Sequence, residues 1–348
     1  MIPTLPETTP TPEPPKKRFT GVIVAAVIVA LLLVGGALGT QYYLRWARQP
    51  VTSSGKPVRV TVASGASVET VAQELEAKSV IRSARVFALA GKGTVIKPGI
   101  YDIAPSESVA GILSRLEKGD VVTVRVTFPE GFTVAQVAKR LAKNGLCDEA
   151  AFLGLVTKRG DTVNPGLPKN LEGYLFPDTY RFPVGATEMQ IAERMTASFD
   201  NIFVAPNRAD IEASGRSLAE IVTVAAMVER EARVAKDRRL IAGVIYNRLR
   251  RGMRLQIDAT VQYARKQHSA RLLYRDLEVD SPYNTYRVSG LPPGAICNPG
   301  KASLEAALHP ASHPFLFYVA TPDGSHVFSE TYAGHQANIR AVRRDNSR

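Results

Sequence analysis

Hydrophobic residues follow three patterns along this chain: one unbroken run, one alternating pattern that occurs twice, and helical stripes further on. Gly21 to Gly39, GVIVAAVIVALLLVGGALG, contains no charge and is close to the ~20 residues a helix needs to cross a bilayer. Val58–Leu75, VRVTVASGASVETVAQEL, and Val124–Leu141, VRVTFPEGFTVAQVAKRL, are copies 66 residues apart. Each reads as an alternating strand, a glycine turn (Gly65, Gly131), a Ser67 or Thr133 cap and an amphipathic helix. Gly99–Ile103 reads as a further strand and Ser106–Leu116 as a short helix. Thr187 with Gln190, and Ser217 with Glu220, are capping boxes that start two helices. The first runs to about Phe199. After the second, Ile221–Val228 is apolar on every side except Thr223, as in a helix buried in a core. Gly252 suits the left-handed residue that follows a helix.

Beyond Gly252, MRLQIDATVQYA alternates loosely; if extended it sets Gln256, Asp258 and Thr260 on one face. Ser281–Gly300 is a 20-residue loop of Pro, Gly, Asn and Tyr, a length unusual inside a domain unless it functions. Ser303–Leu308 reads as a helix. Pro314–Ala320 and Gly324–Ser329 read as a hairpin turning at Pro322-Asp323-Gly324. The tail after Arg340 is basic and expected to fray. The aromatic stretch Leu171–Pro183, LEGYLFPDTYRFP, suits either sugar or peptide stacking or a core-covering loop.

The flanks of the apolar run refine its meaning. Residues 1–18 read as a disordered cytoplasmic tail, Pro/Thr/Glu-rich and ending in Lys16, Lys17 and Arg18. Tyr42, Tyr43 and Trp46 suit an interfacial belt, and 19–43 is taken as the transmembrane helix. A cleaved signal peptide is the rival, through Ala37-Leu38-Gly39, but its apolar region normally spans only ~7–15 residues. Arg45 and Arg48 follow the span, so charge favours an inside N-terminus only slightly. Residues 44–57 form a linker, 58–150 a compact α+β domain, and 151–340 a second, helix-rich domain.

The net charge of +12 favours anionic partners, and the stretch Glu229–Arg254 holds nine basic and three acidic residues, half of that surplus. No zinc-finger spacing or RNP-like string accompanies it, so nucleic acid is not a predicted partner. Cys147 and Cys297 stand alone, as free thiols or one bridge. His268, His309, His313, His326 and His335 show no HExxH or HxH spacing, so no metal is predicted. His326 and His335 are read as surface residues, although they can reach a site.

Glu229 and Glu231 close the buried helix, and two carboxylates there are costly unless paired or used. Two positions apart, they leave a helix roughly 200° from each other. Glu231 lies over Val224, Met227 and Val228, Glu229 over the smaller Ala225 and Ala226, with Val222. Desolvation should therefore raise the pKa of Glu231, as a general acid requires. Arg230, Arg233 and Arg239 oppose this unless they point away. Salt bridges between these arginines and both glutamates are the competing structural reading.

Taken together, VEREA at 228–232, YNRLRRGMRLQIDATVQY at 246–263, LEGYLFPDTY at 171–180, and SPYNTY with GLPPGAICNPG in 281–300 resemble the endolytic murein (peptidoglycan) transglycosylase family, the MltG or YceG-like proteins. The resemblance covers most of the chain beyond the anchor. It implies an N-terminal transmembrane helix, a LysM-like α+β domain, and a helix-rich catalytic domain of lytic-transglycosylase type with a small β-hairpin. It implies one catalytic acid, and Glu231-Ala232 takes the place where such enzymes have Glu followed by a small residue. Gln256, Tyr283 and Asn284 stand where that family positions its sugar, and Asn247, Asp258, Thr260 and Tyr286, from the same strings, are added as substrate-binding residues. Ala259 departs from the family's usual Pro.

No cofactor is implied. The expected partners are peptidoglycan glycan strands and membrane lipid through the anchor, with peptidoglycan synthases expected from the family alone. The implied location is the cell (inner) membrane, single-pass, N-terminus inside, with the catalytic domain outside the cytoplasm. The implied reaction cleaves the MurNAc-GlcNAc β-1,4 bond of nascent strands to leave 1,6-anhydroMurNAc ends. Two other readings stay open: a catalytically silent glycan-binding scaffold, and a muramidase with Asp258 or Glu172 as second carboxylate.

Overall fold

The structure, a computed structural model, describes residues 18–266 and 272–345; residues 1–17 of the expected N-terminal tail and His268 lie outside the described residues. The chain divides into two compact units, meeting between Val122 and Thr123. The first begins with α1 (Arg18–Arg48), 31 residues long and exposed along nearly its whole length. By length and composition it can cross a membrane. It runs past the expected end at residue 43 and stops at Arg48, just before Pro50.

The rest of this unit is β1 (Val58–Val62), α2 (Val68–Ala77), α3 (Ala84–Ala90), β2 (Gly99–Ile103) and α4 (Val109–Lys118). β1 and β2 pair antiparallel, Val60 facing Tyr101. Ser67, Ser83 and Ser108 each accept a backbone N–H at the start of their helix, which satisfies donors that have no partner inside the helix. Val60, Leu75, Phe87, Tyr101, Ile103, Ile112 and Leu116 form a core of their own.

The second unit opens with β3 (Thr123–Thr127), α5 (Val134–Lys143), α6 (Glu149–Lys158), α7 (Gly160–Val163), β4 (Thr179–Pro183) and α8 (Glu188–Phe199). This is the first unit's pattern again, in a matching register: Val126 faces Tyr180 as Val60 faces Tyr101. Gly65 (φ 75°) and Gly131 (φ 78°) make the same left-handed turn. Tyr101 donates its hydroxyl to the Lys97 carbonyl and Tyr180 to that of Phe176, four residues back in both cases. The repeat is thus larger than the alternation suggests. Its second copy sits in the second unit, whereas the sequence placed both copies in 58–150. The reason is pairing: β3 finds its partner only at Thr179–Pro183.

After α8 come a π-helical turn, α9 (Arg208–Ala213), α10 (Leu218–Glu231), α11 (Arg238–Arg250), α12 (Asp258–Ala264), α13 (Lys301–Leu308), the hairpin β5 (Phe317–Ala320) and β6 (His326–Ser329), and α14 (Tyr332–Asp345). α10 is the hub. Both capping-box hydrogen bonds of Ser217 and Glu220 form, and Ile221–Val228 is buried throughout, against α11 and α13. Each large side chain there contributes about 1.5–3 kcal/mol by burial. Gly243 lets α11 approach its neighbours: a Cβ there would sit 2.5 Å from the Ala311 carbonyl oxygen and against His313 Nε2.

Three expectations change. Residues 258–264 form a helix and no strand, with three successive residues, Ala259, Thr260 and Val261, buried where an alternating strand would bury every second one. Residues 341–345, expected to fray, continue α14. The aromatics Tyr174, Phe176, Tyr180 and Phe182 are buried, so the stretch covers the core. Cys147 and Cys297 are free thiols.

Asn298 ties distant chain together. Its Oδ1 accepts from Gly173 N (3.0 Å) and Leu175 N (2.9 Å), and its Nδ2 donates to Phe132 O (2.9 Å).

Candidate active site

The last turn of α10 sends its two glutamates to different fates, as their spacing requires. Glu229 Oε2 accepts hydrogen bonds from Gly300 N (3.1 Å) and Ser303 Oγ (2.7 Å), and so caps the first turn of α13. It is a structural carboxylate. Ala232 turns extended at ψ 119° and ends the helix, which leaves Glu231 at its edge. Glu231 opens into a cleft of about 480 Å³, lined also by Arg230, Arg233, Arg248, Gln256, Asp258, Tyr286, Tyr318, His326 and His335.

Glu231 is only partly exposed, and burial lifts its pKa to about 7. The Tyr318 hydroxyl, donating to its Oε2 at 3.0 Å, pulls the other way; the Asp258 charge pushes up and that of Arg230 pulls down. Burial wins. Among the described residues neither glutamate forms an ion pair, and Arg239 is turned away, donating to the His309 carbonyl. The salt-bridge reading of these glutamates therefore does not hold. A carboxyl with this pKa can give and take back a proton near neutrality.

The rest of the cleft is fixed from behind. Arg248 is buried and donates to the carbonyls of Leu316 (2.7 Å) and Leu255 (2.6 Å), which holds β5 against the turn before α12. Gln256 follows with φ 51°, a left-handed conformation costing about 1–3 kcal/mol in a non-glycine residue. Its N–H donates to Thr285 O at 3.1 Å. Tyr286 donates its hydroxyl to Asp258 Oδ1 at 2.5 Å. His326 Nδ1 lies 2.9 Å from Asp237 Oδ2, both nearly inaccessible, and Tyr318 meets that imidazole edge-on.

Of the residues expected from sequence, Glu231, Gln256, Asp258 and Tyr286 come together here. Asn284 is buried, donating to the Leu277 and Val279 carbonyls and accepting from Tyr286 N. Asn247 donates to the carbonyls of His313 and Phe315. Thr260 donates to Ile257 O and meets Thr285 Oγ1. These three side chains build the frame behind the cleft. Tyr283 faces a neighbouring cavity, packed on Tyr263 at 4.9 Å. Glu172, one of two possible second carboxylates, faces that cavity too, while Asp258 faces the cleft.

Sequence reasoning missed Tyr318 and Arg248 and set His326 and His335 on the surface. All four line the cleft. Tyr318 and His326 lie on the hairpin and His335 on α14, with no local mark, whereas Arg248 stands on α11 inside the string 246–263 already singled out. Among the described residues no group of three His, Cys, Asp or Glu is placed to hold a metal.

A model of the YceG-like family matches residues 60–341. An endolytic murein transglycosylase of Bacillus subtilis (strain 168) is 33% identical over 324 residues, which cover 87% of this chain and 89% of that protein. The protein of the same name from Streptococcus pneumoniae serotype 2 (strain D39) is 30% identical over 354 residues, 91% of this chain and 64% of the relative. A crystal structure of a yceG-like protein from Listeria monocytogenes matches with a TM-score of 0.56 and 34% identity, over 82% of this chain and 99% of that one.

Proposed function

The chain belongs to the YceG-like family, and on that premise we propose that it is an endolytic murein transglycosylase, with Glu231 as its single acid and base. The observation that carries the assignment of the acid is the position of Glu231: partly buried, in no ion pair among the described residues, in a polar cleft, with a pKa near 7. Protonated Glu231 gives its proton to the glycosidic oxygen between MurNAc and GlcNAc as the bond to C1 breaks, and an oxocarbenium-like centre develops. The carboxylate then takes the proton of the C6 hydroxyl, whose oxygen closes on C1. The product is a 1,6-anhydro end and the acid is restored. No water enters.

Tyr318 orients Glu231, and Gln256 and Asp258 offer polar groups to the sugar; holding the ring for its own hydroxyl's attack is most of what such a site supplies. Asp258 is the one nearby carboxylate on which a hydrolytic route can be built, and its hydrogen bond from Tyr286 weighs against a free base. In this reading α1 anchors the protein in the cell membrane with its N-terminus inside, and the second unit works outside on nascent strands. The module in the first unit is LysM-like and holds glycan, and synthases are neighbours.

The test is mass spectrometry of muropeptides after digestion of purified strands by the full-length protein. Products ending in 1,6-anhydromuramic acid, lost in Glu231→Gln, are expected. Products heavier by one water would mean a muramidase. Strands bound but uncut would mean a scaffold.

A further inference from the structure

The second unit holds another cavity, of about 860 Å³, that the reaction leaves unused. It lies beside the cleft, and three pieces of chain border both. Arg230 lines each space. In α12, Asp258 faces the cleft while Ala259 and Tyr263 face the cavity. The loop 281–286 gives Tyr283 to the cavity and Tyr286 to the cleft. One turn of helix rises only about 5.4 Å, so the two spaces are a short step apart.

Their chemistry differs. Charged and polar side chains ring the cleft, whereas the cavity wall is largely aliphatic, with Val134, Leu153, Pro282 and Ile296. Its cations are Arg230 and Lys266, and neither forms an ion pair among the described residues. The acid on its wall is Glu172, buried, accepting from Val134 N (3.0 Å) and the Tyr263 hydroxyl (3.2 Å). Burial pushes its pKa to about 8, so at neutral pH it does not balance the two cations. Tyr263 and Tyr283 are tilted 52° to each other and form no single flat platform of the kind a sugar face favours.

We propose that this cavity binds the acidic stem peptide carried by the muramic acid residue seated in the cleft. Arg230 and Lys266 meet the peptide's carboxylates, and the aliphatic wall meets its alanine methyl groups. The idea rests on the transglycosylase reading. A stem peptide branches from the ring that is being cut, so its receptor must lie beside the cleft and share a wall with it. This cavity does both, and it matches an amphiphilic anion better than a neutral sugar.

Two measurements test it. Calorimetric titration of free stem pentapeptide into the full-length Glu231→Gln protein in nanodiscs reads the cavity without turnover. Binding is expected, weakened about tenfold or more by adding Lys266→Glu or Leu153→Trp, the first changing charge and the second filling space. The second measurement compares kcat/KM on peptide-bearing strands with that on the same strands stripped by an amidase. The wild type should favour the peptide-bearing strands about tenfold, and Lys266→Glu should erase the preference without slowing the stripped ones. Peptide that does not bind, or binds both variants as well as the parent, overturns the proposal. A peptide-free tetrasaccharide that displaces the peptide overturns it in favour of a sugar subsite. Strands cut with no dependence on stem peptide refute this proposal alone; peptide bound but no strand cut refutes the transglycosylase reading alone.

Discussion

Tyr318→Phe isolates the hydrogen bond that tunes the acid. Its hydroxyl donates to Glu231 Oε2 at 3.0 Å from a half-buried position beside His326 and Phe328. The replacement keeps the ring and removes one donor. A hydrogen bond to a charged group is worth about 1.5–3 kcal/mol, and one pKa unit corresponds to about 1.36 kcal/mol. Losing it disfavours the carboxylate and raises the pKa of Glu231 from about 7 by roughly 1–2 units. Glu231 must carry its proton to begin the reaction, so kcat/KM falls as pH rises through that pKa. The variant's alkaline limb should therefore lie roughly 1–2 units higher than the wild type's, although its plateau drops because the carboxyl is less firmly oriented. Single-turnover cleavage of purified strands between about pH 5 and about pH 9 reads this directly. A limb that stays in place, or moves down, would refute the assignment of Glu231 as the titrating acid held by Tyr318.

Other changes test other parts of the structure. Glu229→Gln keeps an acceptor for Gly300 N and Ser303 Oγ, so strand cleavage should survive with a stability loss of about 1 kcal/mol by urea denaturation, whereas Glu231→Gln abolishes cleavage. Glu172 has a folded-state pKa near 8 against an ordinary 4.5, so the native state holds more protons between those values and loses stability as pH rises through that window. Glu172→Gln should remove this loss, at most roughly 5 kcal/mol, and flatten the pH dependence of the second unit's unfolding midpoint. Gly243→Ala, which in an open helix would stabilise by roughly 1 kcal/mol, should here destabilise by about 1–3 kcal/mol as the new methyl meets Ala311 O; a higher melting temperature would contradict that packing.

Local chemistry was legible in the sequence. Capping boxes at Thr187 and Ser217 and the glycine turns at Gly65 and Gly131 act within four residues, and they formed as read. That Glu229 and Glu231 part to different sides followed from helical geometry. What sequence could not give depended on distant partners. β4, the strand that completes the second copy of the repeat, pairs across more than 50 residues, as the contact between Thr127 and Thr179 shows. The amides of Asn247 and Asn284 look equally fit to hold a sugar or to hold a loop; only the carbonyls they find decide between these, and those of Asn247 lie 66 and 68 residues away. Tyr318 has no local mark at all, since a strand tyrosine facing a carboxylate reads like any other strand tyrosine.

The tie made by Asn298 sets an order of events in synthesis. It joins Phe132 and the segment Gly173–Leu175 across 166 and about 125 residues. At about 5–20 residues per second, residue 298 emerges roughly ten to thirty seconds after residue 132. Until then the N–H groups of Gly173 and Leu175 lack their acceptor, and the loop covering the core has nothing to fasten it. The β1–β2 module, whose contacts are local, can close long before. A nascent second unit therefore cannot complete this tie until residue 298 has been made, however early its local elements form.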